Sequence, residues 1–516
     1  MRWGALLVVL AAGCAGKSVS SDPGSVGVGQ TLPDDAGAAP AADAGAPDAG
    51  PPQIDPAADA GSQPADAGPD RGTGVSTPDA GPAGGGDWMQ YRHDQRGSSL
   101  DDGAFTASGA AALTTRWTLE LGQYVYTQAM IAQDLVVFTT AFSGNVVAVD
   151  PATGAIRWTK TLNSAVTTTC GGTEHPGFWA AAAIDDAAVY VASADGHAYA
   201  LSRADGSTIW STAVADPTAA GHGEFIQSSP VLSGGKMFLG VASSFHCDEV
   251  AGRIASLDLA TGAVQQASLV NPGQQGAAVW SSISVAEEEN RLYVTSGNRI
   301  GDASLTPNAQ AFLAVDADSL EVLDRWQNPT TLDDSDFGSS PTLVDVQGLR
   351  LVAATSKDGW LYVLRRDALS AGPFWKYQLA VIDPSKPTAG GDPSAGFGSI
   401  ATPVMAGGLL IAAGGRTPDG QVGSVVAFNP ATGGIAWRHT PPGYVIAPPA
   451  AAGEILAVES SAPDGTSSAL EILNLATGAV IARFNRPIAT YAAPSIGHGL
   501  VIWTDAFGHA TALGAP

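Results

Sequence analysis

Basic residues are scarce in this 516-residue chain: 24 Lys and Arg stand against 49 Asp and Glu, for a formal net charge of −25. Binding to a phosphate backbone needs clustered cations to replace counterions, so nucleic acid is excluded as a partner. Cysteine is scarcer still. Cys14, Cys170 and Cys247 are too few for a disulfide scaffold or a Cys-rich metal or iron–sulfur site, and no Cys-x-x-Cys-His stretch exists to attach a haem. The eight histidines are scattered, without His-Glu-x-x-His or zinc spacing, and no Gly-x-Ser-x-Gly, P-loop or dinucleotide fingerprint occurs. What is abundant is turn chemistry: Gly 63 and Pro 34, beside 45% hydrophobic and 14% charged residues. Such a chain is too apolar to be disordered throughout and too rich in turns to be mostly helical, which leaves an all-β body with many tight turns.

The chain divides into three parts. Residues 1–14 read as an export segment, with Arg2 ahead of an apolar run over 5–12 that is too short to span a bilayer. Leu10, Ala11, Ala12, Gly13 and Cys14 resemble a bacterial lipoprotein signal, which implies acylation of Cys14, an exported protein anchored by lipid in the cell envelope, and, with Ala15 next, delivery to the outer membrane. Residues 15–86 form a low-complexity tether with Asp-Ala-Gly triplets starting at Asp35, Asp43, Asp48, Asp59, Asp66 and Asp79. Its ten Asp, no Glu and two bases (Lys17, Arg71) predict an extended, disordered spacer. Residues 87–516 form the folded body.

An internal repeat sets the architecture of that body. Ala148, Asp150, Thr153, Gly154 and Trp158 give the full motif, with Asp and Thr-Gly in a hairpin turn and Trp opening the next strand. Ala427, Asn429, Thr432, Gly433 and Trp437 nearly match it, and Ala200, Ser202, Asp205, Gly206 and Trp210 keep its spacing. Weaker copies centre on Asp258, Asp316, Arg365 and Asn474. Each interval holds four short strands, the unit of a propeller blade. The C-terminal Gly508, His509, Ala510, Thr511, Ala512 and Leu513 mirror Gly196 to Leu201 but stop before any Trp, whereas Arg116, Trp117 and Thr118 match Arg157, Trp158 and Thr159 without a preceding turn. The expectation is an eight-bladed β-propeller of four-stranded blades, its last blade closed by the strand at Trp117 pairing with the C-terminus, which leaves no open edge.

The repeat resembles that of the pyrroloquinoline quinone (PQQ) propellers, the quinoprotein alcohol dehydrogenases, and most nearly the polyvinyl-alcohol-dehydrogenase-like branch. Trp88, Tyr91, His93 and Asp94 are similar to that branch's opening segment, expected to lie on the propeller surface. In the dehydrogenases a Trp floor carries the quinone, and an Asn after Gly, eighteen residues on, binds Ca2+. Trp280 and Asn298, preceded by Gly297, keep that spacing. Lys357 matches the cation at the quinone oxygen, and 334–338 resembles the stretch before it. The resemblance therefore implies PQQ and Ca2+ held by Trp280, Asn298 and Lys357, with Asn298 the metal ligand. The bland alternative is blade packing for Trp280 and a turn for Asn298.

Several family positions depart. The Ca2+-binding Glu falls near His246 or Cys247, with Asp248 and Glu249 as substitutes; the catalytic Asp is expected at Gln310, with Asp302 nearby; the adjacent Cys pair is reduced to Cys170 and Gly171, with His175 where an Arg is expected. Two functions stand: an envelope lipoprotein whose propeller is a binding or scaffold module with a degenerate quinone site, partnered by other envelope proteins, or a PQQ- and Ca2+-dependent dehydrogenase of an alcohol or polyol. Export to an oxidising compartment also predicts a Cys170–Cys247 disulfide once Cys14 is acylated.

Overall fold

The computed structural model describes residues 86–515 apart from 102–104, 123, 163–165, 169–171, 175–176, 219–222, 244–249 and 302–303. Cys14, Cys170 and Cys247, and with them the lipidation site and the expected disulfide, lie outside the described residues.

Eight four-stranded antiparallel blades form the ring. Blade 1 runs Met130–Ala132, Leu135–Thr139, Asn145–Val149 and Ile156–Thr161 from the axis outward. Six more blades follow in chain order, with innermost strands Ala183–Ile184, Val231–Ser233, Ser284–Ala286, Thr342–Val346, Val404–Ala406 and Ala450–Ala452. Blade 8 joins Ser495–Gly497, Leu500–Thr504 and His509–Gly514 to the N-terminal strand Thr114–Glu120, in which Trp117 pairs with Ala512. The expected closure is the one observed.

The repeat motif is the clamp between blades. Asp150 Oδ1 accepts from the backbone N–H groups of Ala152 and Thr153 and from the Thr153 hydroxyl, and Gly154 N–H returns to the Asp150 carbonyl at φ +71°. A Cβ on Gly154 would lie 2.8 Å from the Trp117 ring of the preceding blade, so Gly is required for space as well as for φ. Trp117 Nε1 donates to the Pro151 carbonyl at 2.7 Å. The same pairing recurs for Trp158 with Arg203, Trp210 with Leu259, Trp375 with Pro430 and Trp437 with Leu475. Each indole fills the seam between two sheets while its N–H satisfies a turn carbonyl. Where the Trp is missing, the Gly is missing too: Gln265 stands in blade 3, and the facing turn carries Leu320 at φ +61°. That coupled loss explains the weak repeat at Asp316.

The segment at Trp88 is not on the surface. Trp88 and Arg92 have no exposed area, because residues 86–101 run around the inside of the ring and bond to the innermost strands. Trp88 exchanges two backbone hydrogen bonds with Ile131, and Ile184 donates to the Met89 carbonyl. Leu232 donates to Gln90 Oε1. Val285, Leu343, Met405 and Ala451 donate to the carbonyls of Gln95, Arg96, Ser98 and Ser99, and His498 donates to Gly86. All eight blades are reached, in blade order. An innermost strand has no neighbour on its axial side, so its buried N–H groups must find other partners, and this segment supplies one to each.

Arg92 ties the segment down: Nη1 donates to the Pro341 carbonyl at 2.6 Å and Nη2 to the Ile283 carbonyl and Ser284 Oγ, both at 3.1 Å. Burial pulls its pKa down to about 10. A Cβ on Gly97 would come within 1.8 Å of Arg92 Nη1. Replacing Arg92 by Met takes a donor from the Ile283 carbonyl and leaves the Pro341 carbonyl to the Ser284 hydroxyl alone, and we expect a loss of about 2–4 kcal/mol in denaturant unfolding. Arg116→Ala, on the exposed rim, should stay within about 0.5 kcal/mol. Equal, small effects of the two would show that the segment is not fastened by Arg92.

A second buried charge makes stability depend on pH. Glu459 in blade 7 is 2% exposed; burial, offset partly by the Thr490 hydroxyl and Arg486, pushes its carboxyl up to about 8. A group raised in the folded state contributes stability that is complete below its unfolded pKa, near 4.5, and is lost as pH rises towards 8. Glu459→Gln should therefore gain on the wild type between those pH values in thermal unfolding; a difference that does not vary with pH would refute the assignment.

Candidate functional site

Strand direction places the loops entering each innermost strand at one end of the axis. There they surround a cavity of ≈ 310 Å3, whose lining includes Tyr91 of the axial segment. A belt of hydroxyls fixes those loops: Ala181 N–H donates to Ser229 Oγ, Ser229 N–H to Ser282 Oγ, Ser282 N–H to Ser340 Oγ and Ser340 N–H to Thr402 Oγ1, at 2.8–3.0 Å. Sequence reasoning missed this belt. Its signal was a second repeat, Ser228-Ser229-Pro230, Ser281-Ser282, Ser339-Ser340-Pro341 and Thr402-Pro403, lying just before each innermost strand.

Trp280, Asn298 and Lys357 all line this cavity. Lys357 Nζ sits 2.8 Å from Asp334 Oδ1, 2.9 Å from Asp336 Oδ1 and 5.3 Å from the centroid of the Trp280 ring. Trp280 Nε1 donates to Asp336 Oδ2 at 2.7 Å, and Asn298 Nδ2 to Asp334 Oδ1 at 3.1 Å. The Trp ring is thus held at its edge by a carboxylate, and Gly338 leaves it room: a Cβ there would lie 2.1 Å from the ring. Burial works against the Lys357 charge, but Asp336 and Asp334 overcome it and hold the ammonium protonated well beyond the ordinary lysine range. Burial pushes the Asp336 carboxyl up; Lys357 pulls it back, and Asp334 adds repulsion.

Sequence reasoning looked for a carboxylate at Gln310. Gln310 is 2% exposed, in a left-handed backbone conformation, and its Nε2 donates to Ser335 Oγ at 3.2 Å and to Asn298 Oδ1 at 3.4 Å. The cavity's carboxylates come instead from 334–338, a stretch singled out only for resembling the family. His175, His246, Asp248, Glu249 and Asp302 lie outside the described residues.

A planar ring fits over Trp280, flanked by the Lys357 ammonium. A hard dication fits as well. The described lining residues carry three carboxylates, Asp334, Asp336 and Asp392, against Lys357 alone, and Gln310, whose Nε2 reaches Asn298 Oδ1, has its Oε1 buried without a partner. Among the described residues no three His, Cys, Asp or Glu side chains gather at one metal position, so a cation here would draw on amide oxygens as well as a carboxylate.

Comparison with known proteins agrees with the fold. A family model described as outer membrane protein assembly factor BamB, of the PQQ-repeat type, matches residues 103–368 and 357–513. The chain belongs to the PQQ-repeat propeller family. It is 24% identical over 347 residues to the quinohemoprotein alcohol dehydrogenase ADH IIB of Pseudomonas putida, covering 57% of this chain and 48% of the relative. It is 25% identical over 245 residues to the polyvinylalcohol dehydrogenase of a Sphingopyxis strain, covering 43% and 36%. The chain thus matches less than half the length of these curated relatives. Among solved structures, the quinohemoprotein alcohol dehydrogenase of Comamonas testosteroni superposes with a TM-score of 0.66 at 17% identity, over 83% of this chain and 80% of that one. BamB of Moraxella catarrhalis superposes with 0.50 at 19%, over 78% and 97%. At such identities the structural likeness speaks for the fold alone.

The ion network yields a prediction. Lys357→Met strands two carboxylates beside a buried wall, and we expect a cost of about 3–5 kcal/mol, against a much smaller one for Lys357→Arg, which keeps the charge. Equal stability of the two variants in denaturant titration would remove the ammonium from its central place.

Proposed function

We propose that this chain is an exported propeller of the cell envelope, held by lipid on Cys14, whose axial cavity binds pyrroloquinoline quinone and Ca2+ and oxidises an alcohol or polyol. The observation that carries this reading is the position of Lys357, bridging two carboxylates at the edge of the Trp280 ring. A pure scaffold has no use for such a costly buried arrangement in a cavity open at one end of its axis. Trp280 would carry the flat ring, and Asn298, Asp334 and Gln310 would offer oxygens to Ca2+. When bound, the quinone supplies the two-electron acceptor.

The protein's own contribution is positional and protonic. Asp336, whose carboxyl burial makes more basic, is the candidate to take the substrate hydroxyl proton at a carboxylate oxygen. Lys357 steadies the negative charge that develops beside it. Because the lining is already rich in carboxylates and the quinone is itself a tricarboxylate, Ca2+ must accompany it.

A second reading, an envelope scaffold that docks other envelope proteins, draws on the BamB description of the family model and on Gln310 standing where a carboxylate was expected. Reconstitution separates the two. The full chain with quinone should retain quinone absorbance only when CaCl2 is present, and should then reduce a dye with short alcohols or polyols. Trp280→Ala should weaken retention at least about tenfold. If no quinone is retained even with excess Ca2+, the dehydrogenase reading fails and the scaffold reading stands.

A further inference from the structure

The wall opposite the ion network has a different chemistry. Tyr126 and Trp179 line the cavity as a stacked pair, centroids 4.9 Å apart and 19° from parallel, with Tyr491 6.0 Å from Tyr126. The aromatic surface continues outward. Tyr124 stacks on Tyr126 at 5.9 Å and reaches Phe507 at 5.0 Å, while Phe142 stands edge-on to Tyr126 and Trp179. Phe142 is 37% and Phe507 41% exposed. Phe142 also holds a φ of +62°, which a bulky residue rarely adopts, in a short loop where a small or polar residue would fit more easily. An exposed ring kept at an unfavourable backbone position, next to other rings that lead into a cavity, points to a ligand.

The arrangement selects among ligands. Tyr126 lies inside a stack between Tyr124 and Trp179, so the rings form a row that ends on Trp179, whereas recognition of an organic cation needs rings set around a point. Across from them stand Asp334 and Asp392, acceptors for hydroxyl hydrogens that also repel acidic ligands. A ligand with a flat C–H face on one side and hydroxyls on the other meets both walls, and a pyranose ring has that form. The aromatic surface extends beyond the mouth, so the ligand extends too.

We propose that the aromatic row and rim bind a neutral oligosaccharide, one sugar ring stacked on Trp179 at the end of the row with its hydroxyls towards Asp334 and Asp392, and the following rings along Tyr124, Phe142 and Phe507. This rests on the reading of the axial cavity as a ligand site and names the class of its substrate.

The test is calorimetric titration of the full chain with a panel of neutral hexasaccharides (α- and β-linked glucans, a mannan and a xylan fragment), their monosaccharides, a hexuronate and tetramethylammonium. It is run without quinone or Ca2+, so that its failure is separate from failure of reconstitution. At least one neutral hexasaccharide should bind more tightly than its monosaccharide and than the hexuronate. The double variant Phe142→Ser, Phe507→Ser should weaken it about tenfold while leaving quinone retention unchanged. The proposal is overturned if no neutral hexasaccharide binds, if the hexuronate or tetramethylammonium binds as well, or if the rim variant binds the hexasaccharide like the wild type.

Discussion

Packing eight sheets face to face in a ring leaves eight inner strands facing the axis with backbone donors that nothing in the blades can satisfy. Water could do so in an open channel. In this protein residues 86–101 do it instead, one blade after another, with Arg92 reaching across to blades 4 and 5. The consequence is a channel filled at one end. The other end is a cavity with Tyr91, from the same segment, among its walls, where side chains from many blades meet.

The ring's periphery was legible because its determinants are close in sequence. Asp150, Thr153 and Gly154 make their turn within five residues, and the Trp that seals the seam recurs eight residues after Asp150, Ser202 and Asn429. Even the failure at Asp316 could have been read, since the missing Gly at Leu320 and the missing Trp near Gln265 belong to one contact. The axial segment was not legible. Its partners lie from about forty to about four hundred residues away, and neither Trp88 nor Arg92 has a periodic context to show that it is buried. A lone Trp and Arg after a low-complexity stretch read as surface.

The site was legible in part, for a related reason. Trp280, Asn298 and Lys357 could be placed by spacing, but the carboxylates could not. The expectation at Gln310 counted back from Asp316, the turn Asp of the same blade, whereas Asp334 and Asp336 lie in the following connection, where length varies and a count gives no register. What brings them to Lys357 is the hydroxyl belt, which links the connections into blades 2 to 6 just ahead of their inner strands. Sequence reasoning that had followed the Ser-Ser-Pro repeat as well as the Trp repeat would have put those carboxylates in the cavity.

That belt also accounts for how one fold serves dissimilar relatives. Each blade presents a few side chains at the cavity from positions beside the belt, and changing them disturbs neither the clamp at the rim nor the segment on the axis. Here blades 8, 1 and 2 present Tyr491, Tyr126 and Trp179, while the connections of blades 4 and 5 present Asp334, Asp336 and Lys357. Most of the cavity's rings thus stand on one half, while on the other Trp280 is bound into the ion network through Asp336 and Lys357.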